Sequence, residues 1–331
     1  MLPLLVAILL GTPPGAPTVL QPVRATSSAF GVTVEVEARD LSEAAARSVL
    51  QKAMAEIAEV ERLTDPIGAD GGLTALNAAA GQGPRPLDPR LLSVLTRSRD
   101  FCLWSEGAHG PLGRDLYSLW GLRSPVVDPP APDRLAQAVD RASCDRLSLD
   151  PKAGTATLAA GSSLELWGFA EGFAVDQAAE LLRREGVVNG FVRIGGSYRG
   201  FGAGPAGKGW PVILDPLPGM EETATQVFLR DRSLAIAMRT ARPLQVEGQT
   251  LAPYINQRTG RPADGVLAVA TVTELGIDAH ALAAALLITG PREGQLRLGS
   301  LNPRPSVLWF MGTGSGPPLR VEYHWSLVPK R

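Results

Sequence analysis

Cysteine is nearly absent from this chain of 331 residues: Cys102 and Cys144 are its only two. Two cysteines cannot be the framework of a protein this long, so stability has to rest on a buried core. An oxidising compartment would let them pair, but the sequence reads better with each as a small buried hydrophobe. Neither lies in a C-x-x-C or beside a histidine at ligand spacing, which sets aside the usual zinc patterns. An excess of one charge is missing too, since 32 Lys and Arg face 33 Asp and Glu and the basic residues are scattered. Such a distribution does not grip a phosphate backbone or an anionic membrane, so no nucleic acid is expected as a partner. Low-complexity tracts and internal repeats are also lacking, which sets aside linkers and solenoids.

What remains is a globular composition, 45% apolar and 20% charged. Gly and Pro follow no period and mark many loops and turns. The apolar run LPLLVAILL at 2–10 is too short to span a bilayer as a helix, and Gly11, Pro13 and Pro14 stop it. It reads as an export signal, although the first charged side chain is Arg24. Residues 1–24 are therefore expected to be a signal peptide or apolar tail and 25–331 the folded domain. An exported, extracytoplasmic protein follows, or a cytoplasmic one if the run is not a signal. No cysteine follows the run, so no lipoprotein anchor and no stable membrane anchor are expected.

Residues 31–38 (GVTVEVEA) alternate with period two and predict a strand with one face on a core. Asp40 and Glu43 form a capping-box pattern, and Leu41, Ala45, Val49, Ala53, Ile57, Val60 and Leu63 recur at helical spacing through residue 63. Further on, the pattern predicts a helix over 88–102 and a Pro-rich surface connection at 121–132. A short helix to 141 and a hairpin turning near 150–154 follow, then a helix over 169–185. Strands are expected at 190–195, 211–214, 227–236 and 266–274, with a helix over 278–289 and a last strand at 306–310. Strands and helices interleave without strict βαβ order, which reads as an α+β fold of mixed sheets with packed helices in a single large unit.

The segment LELWGFAEGFAVD at 164–176 is similar to the block L-D-x-G-G-x-A-K-G-Y-A-V-D of the ApbE-type FAD:protein FMN transferases. VRIGGS at 192–197 sits where that family has an N-A-G-G-D turn, and WPVILDP at 210–216 matches its following strand. NQRTGRP at 256–262 resembles D-P-x-T-G-x-P, and AHALAAAL at 279–286 resembles A-D-A-L-A-T-A-L. Leu73–Asn77 and LWG at 119–121 fit weaker blocks. Order and spacing agree over residues 28–312, so the chain is identified as a divergent member. The resemblance implies a T-fold-related, ApbE-like architecture, FAD as substrate and Mg²⁺ as cofactor. It also implies a flavoprotein acceptor whose Ser or Thr takes the FMN half while AMP leaves. It places the flavin nucleotide at Glu171, Gly172, Asp176, Gly195, Gly196, Ser197, Thr259 and Gly260, the metal at the Ile194 backbone, His280 and Ala284, and the catalytic base at Pro253.

At most of these positions the chemistry differs from the family pattern. His280 and Ala284 replace an Asp and a Thr one helical turn apart, and Mg²⁺ wants oxygen donors, not imidazole or methyl. His280 reads better as a partly buried or capping histidine, and Asp278 as the cap of its own helix. Glu171 replaces a lysine and would set a carboxylate against a pyrophosphate. Ser197 replaces an Asp, and Pro253, which cannot accept a proton, replaces the His base. HGPL at 109–112 and AIAM at 235–238 replace F-D-P-T and A-T-S-G, removing further hydroxyls and a carboxylate. Asp176, Thr259 and Gly260 keep the pattern, but a helix-face ion pair and a simple turn explain them equally well. Fold retained without chemistry is the reading this supports: a transferase-like protein whose activity is lost or altered. The alternatives are a working transferase with a rebuilt site, and a non-catalytic protein that binds a flavin, a nucleotide or a partner.

Overall fold

The computed structural model describes residues 21–214, 225–313 and 316–328. The apolar run at 2–10, most of the expected leader at 1–24, and Asp215 and Pro216 lie outside the described residues. Period-two patterning gives eight main strands: β1 (Val23–Ala29), β2 (Val32–Ala38), β3 (Gly190–Ile194), β4 (Ser197–Phe201), β5 (Arg232–Met238), β6 (Val266–Thr273), β7 (Ser306–Met311) and β8 (Leu319–Tyr323). They pair antiparallel with neighbours in chain order, so the sheet is one meander with insertions between its strands. The long helices lie in those insertions: α1 (Glu43–Thr64), α2 (Pro89–Trp104) and α3 (Ala170–Arg184) between β2 and β3, and α4 (Gly276–Leu298) between β6 and β7.

One face of the sheet is covered by α1, α3 and α4, which bury Val34, Val36, Val192, Ile194 and Val269 against Ile57, Val175 and Leu286. The other face carries a smaller core in which the hairpin Trp210–Leu214/Thr225–Leu229 and Trp325 cover Leu234, Val272 and Leu308. Coverage on both faces explains why β6 reads as a continuous apolar run, VLAVATVT, and not as an alternating one.

Most expected elements lie where the sequence puts them, with a few physical corrections. The cap of α1 is Ser42, whose Oγ accepts from the Ala45 N–H at 3.4 Å, while Asp40 turns away with φ 64 and accepts from the Asn189 side chain. The strand expected at 227–236 is two strands separated by a turn at Asp231 (φ 53), the first belonging to the hairpin and the second being β5. Both pieces are apolar, and the charged triplet Arg230-Asp231-Arg232 between them marks the break. The helix expected to end at 289 kinks at Gly290 (φ 70) and Pro291 and then continues to Leu298. Strand β8 follows the strand expected to be last. The two cysteines are not separate hydrophobes: Cys102, buried on α2, is bonded to half-buried Cys144 across a sequence separation of 42, with Cα atoms 5.9 Å apart.

Candidate functional site

The turn between β1 and β2, the C-terminal end of α1 and the first turn of α3 converge on a cavity of about 590 Å³. Phe30 and Gly31 form the turn, both at positive φ (55 and 71). The Phe30 N–H donates to Glu61 Oε1 at 2.5 Å, and the Phe30 carbonyl accepts from Arg242 Nη2 at 2.9 Å. Asp65, Trp167, Gly168 and Glu171 complete much of the wall, and Arg123 enters it as an ion pair with buried Glu165. Trp167 is braced from behind by Tyr254 at a ring distance of 4.7 Å and by Tyr117 at 5.6 Å.

Glu171 makes no hydrogen bond among the described residues. Burial pushes its carboxyl up to about 7, with Arg242 pulling the other way. Burial thus favours the neutral acid over the carboxylate here more than water would. It reaches the glycine turn, because a Cβ added to Gly195 (φ 54) would lie 3.3 Å from Glu171 Oε2. The neighbouring residue, Gly172, touches the start of α4, where a Cβ would fall 2.4 Å from the Gly276 carbonyl oxygen. The first turn of α3 thus stands between the glycine turn and α4.

The starts of α3 and α4 cap one another. Asp176 Oδ1 accepts from the Gly276 N–H at 2.7 Å and Oδ2 from the Ile277 N–H at 3.0 Å, the first orphan donors of α4. In return His280 Nδ1, on α4, accepts from the Gly172 N–H of α3 at 3.3 Å. Burial raises the Asp176 carboxyl to about 6, while the guanidinium of Arg199, 2.8 Å away, and the two amides favour its charged form. Asp278 does not cap α4 as expected, since Arg97 holds it with two bonds of 2.6 and 2.8 Å. Burial keeps His280 neutral, its value lowered to about 4.

His109 lies beneath the cavity floor, stacked on Phe169 at 4.7 Å and packed under Gly168, whose Cβ would meet the imidazole at 2.8 Å. Among the described residues neither ring nitrogen has a hydrogen-bond partner. Burial first, and His280 second, lower it to about 3. Among the described residues no group of three His, Cys, Asp or Glu is placed to hold a metal ion.

Of the residues singled out in the sequence, Glu171 lines the cavity, with Gly172 and Gly195 immediately beside it. The others lie elsewhere. Ser197 is buried in β4 opposite Ala235, and Gly196 is pressed on the Ile236 carbonyl. Asp176 faces Arg199, away from the cavity. Thr259 and Gly260 form a turn bound to Trp120 and packed on Leu135 and Val139. Pro253 is buried next to Tyr254, Ile194 is paired into β3, and Ala284 is buried in α4. Sequence reasoning missed Phe30, Glu61, Asp65, Arg123 and Arg242. Their only signals are a Phe-Gly turn and the Asp-Pro end of a helix, which many loops share.

Residues 30–306 match the ApbE family. The chain belongs to that family. An ApbE relative, the FAD:protein FMN transferase of Klebsiella pneumoniae (strain 342), is 24% identical over 275 residues, covering 80% of this chain and 78% of its own. The FAD:protein FMN transferase of Treponema pallidum (strain Nichols) is 31% identical over 239 residues, with 67% and 66% covered. Among solved ApbE structures, the flavin transferase from Vibrio cholerae superposes with a TM-score of 0.80 at 20% identity over 91% of this chain and 97% of its own. The ApbE protein of Thermotoga maritima superposes with 0.82 at 19% identity over 94% and 100%. These structures establish the α+β fold. Against the ApbE pattern, the cavity wall carries Trp167 at the first glycine of L-D-x-G-G and Glu171 at the lysine. The positions that the resemblance assigns to a metal carry an imidazole whose Nδ1 is already bonded and a methyl, a donor set that does not fit Mg²⁺.

Proposed function

We propose that this chain keeps the flavin cavity of a FAD:protein FMN transferase and has lost, or nearly lost, the transfer reaction. The observation that carries the reading is the bond from the Gly172 N–H to His280 Nδ1. It commits the side chain at a metal position to holding two helices together, while Ala284 offers no donor at the other. Phosphoryl transfer depends on neutralising charge that develops on phosphate oxygens and on a base near the attacking hydroxyl. Pro253 supports no base at its position, and the carboxyl of Glu171 supports no neutralisation at its own. A flavoprotein that the protein still recognises is the partner this reading implies. The disulfide supports residence outside the reducing cytoplasm.

Incubating the purified protein with FAD, Mg²⁺ and an acceptor containing D-x-x-T-G-A-T should leave the acceptor mass unchanged. Millimolar Mg²⁺ should leave the thermal midpoint unmoved, because a cation bound only to the native state must raise it. A covalent FMN adduct on the acceptor would show instead that the site has been rebuilt from other residues.

A further inference from the structure

Both departures on the cavity wall change what the space can accept. The indole of Trp167 occupies volume that a glycine leaves open, and it is held there by Tyr254 and Tyr117. Glu171, which makes no hydrogen bond among the described residues, puts an acid where the pattern has a cation. Of the remaining cations of the wall, Arg123 is paired with Glu165, while Arg242 bonds the Phe30 carbonyl and keeps its charge toward Glu171. Glu61 and Asp65 add two more carboxyls to the same wall. A pyrophosphate entering this space would meet the acids Glu61, Asp65, Glu165 and Glu171 against the two bases Arg123 and Arg242. A planar ring would meet the half-buried rings of Phe30 and Trp167, and hydroxyl groups would find carboxylate acceptors.

Resting on the reading that this cavity is the flavin site, we infer that it selects a flavin without phosphate, riboflavin, and rejects FAD. The ring system faces the aromatic wall and the polyol faces the carboxyls. The specificity of the site has moved from a dinucleotide to a neutral, polyol-bearing heteroaromatic.

Titrating the full chain, free of added metal, with riboflavin, FMN and FAD and following flavin fluorescence tests this. Riboflavin should bind at least about tenfold more tightly than either FMN or FAD, both of which bring phosphate charge, the factor set by one unfavourable charge contact. Glu171→Lys should tighten FAD by about tenfold and leave riboflavin little changed, the added cation pairing with phosphate alone. FAD binding as tightly as riboflavin, or no binding by any of the three, overturns the inference. Equal affinities without transfer overturn the selectivity alone, whereas a covalent adduct on the acceptor overturns the loss of transfer whatever riboflavin does.

Discussion

His109 and His280 carry a measurable consequence at the scale of single residues. Both are buried and neutral, lowered to about 3 and about 4 from an ordinary 6.5. A base whose folded value lies below its unfolded value binds protons more readily when unfolded. The stability it contributes is therefore complete above pH 6.5 and is lost as pH falls toward the folded value. Each histidine should cost the fold about 3 kcal/mol by pH 4. Glu171 has the opposite sign: raised from 4.5 to about 7, it favours the folded state at low pH, and that contribution is lost as pH rises through 7. Asp176, raised from 3.8 to about 6, acts with Glu171, so the two acids nearly offset the two histidines and the urea midpoint should change little between pH 6.5 and 4. His109→Leu removes one of the two histidine terms and should therefore make the variant gain stability over the parent as pH falls to 4, since among the described residues the ring makes no hydrogen bond that leucine would break. A variant that tracks the parent protein down to pH 4 would mean that His109 is not held neutral. The sequence made His280 legible as a capping or partly buried histidine, but not the donor it caps, because Gly172 lies on another helix. Asp278 was misplaced for the same reason: proximity along the chain suggested a cap, and Arg97, distant in sequence, takes the carboxylate.

Among the elements, the contact between α3 and α4 decides the sign of a common substitution. Gly172→Ala should gain about 1 kcal/mol of helix propensity. The added methyl would lie 2.4 Å from the Gly276 carbonyl oxygen and 2.8 Å from His280 Cβ. A backbone carbonyl cannot swing aside as a side chain can, and overpacking of this kind costs about 1–3 kcal/mol. We expect net destabilisation in denaturant melts, with Gly299→Ala as the control, since nothing lies within 4 Å of its Cβ and its φ is −62. Equal stabilities for the two variants would show that the helices can part. Helix bodies were legible because apolar residues repeat at the helical period, and breaks at the ends of apolar runs were not. The Asp231 turn lies in the charged triplet Arg230-Asp231-Arg232, and the Gly290 kink separates the apolar AHALAAALLIT from the polar PREGQLRL, so both breaks carry a hydropathy signal that an apolar-periodicity reading alone passes over.

Over the whole molecule, the disulfide is the covalent tie that composition did not reveal. It closes a loop with a sequence separation of 42, for which chain entropy predicts about 4 kcal/mol of stabilisation. Cys102→Ser with Cys144→Ser should lower the unfolding free energy by that order, and a loss below about 1 kcal/mol would mean that strain or residual structure offsets the tie. The α+β architecture was legible because the family blocks occur in order along the chain. The cavity was not, because its wall is assembled from a turn, a helix end and a loop arginine that share no local pattern.

The meander has one long interruption. Strand β2 ends at Ala38, and its second neighbour, β3, begins only at Gly190. A chain that emerges N-terminus first offers the β1–β2 hairpin early, with the inner edge of β2 unpaired until all of α1, α2 and α3 has followed. Val34 and Val36, wholly buried in the finished sheet, wait on that open edge. An open apolar edge is where two half-made copies find each other. Productive folding should therefore be concentration-dependent, and refolding yield measured against protein concentration checks this.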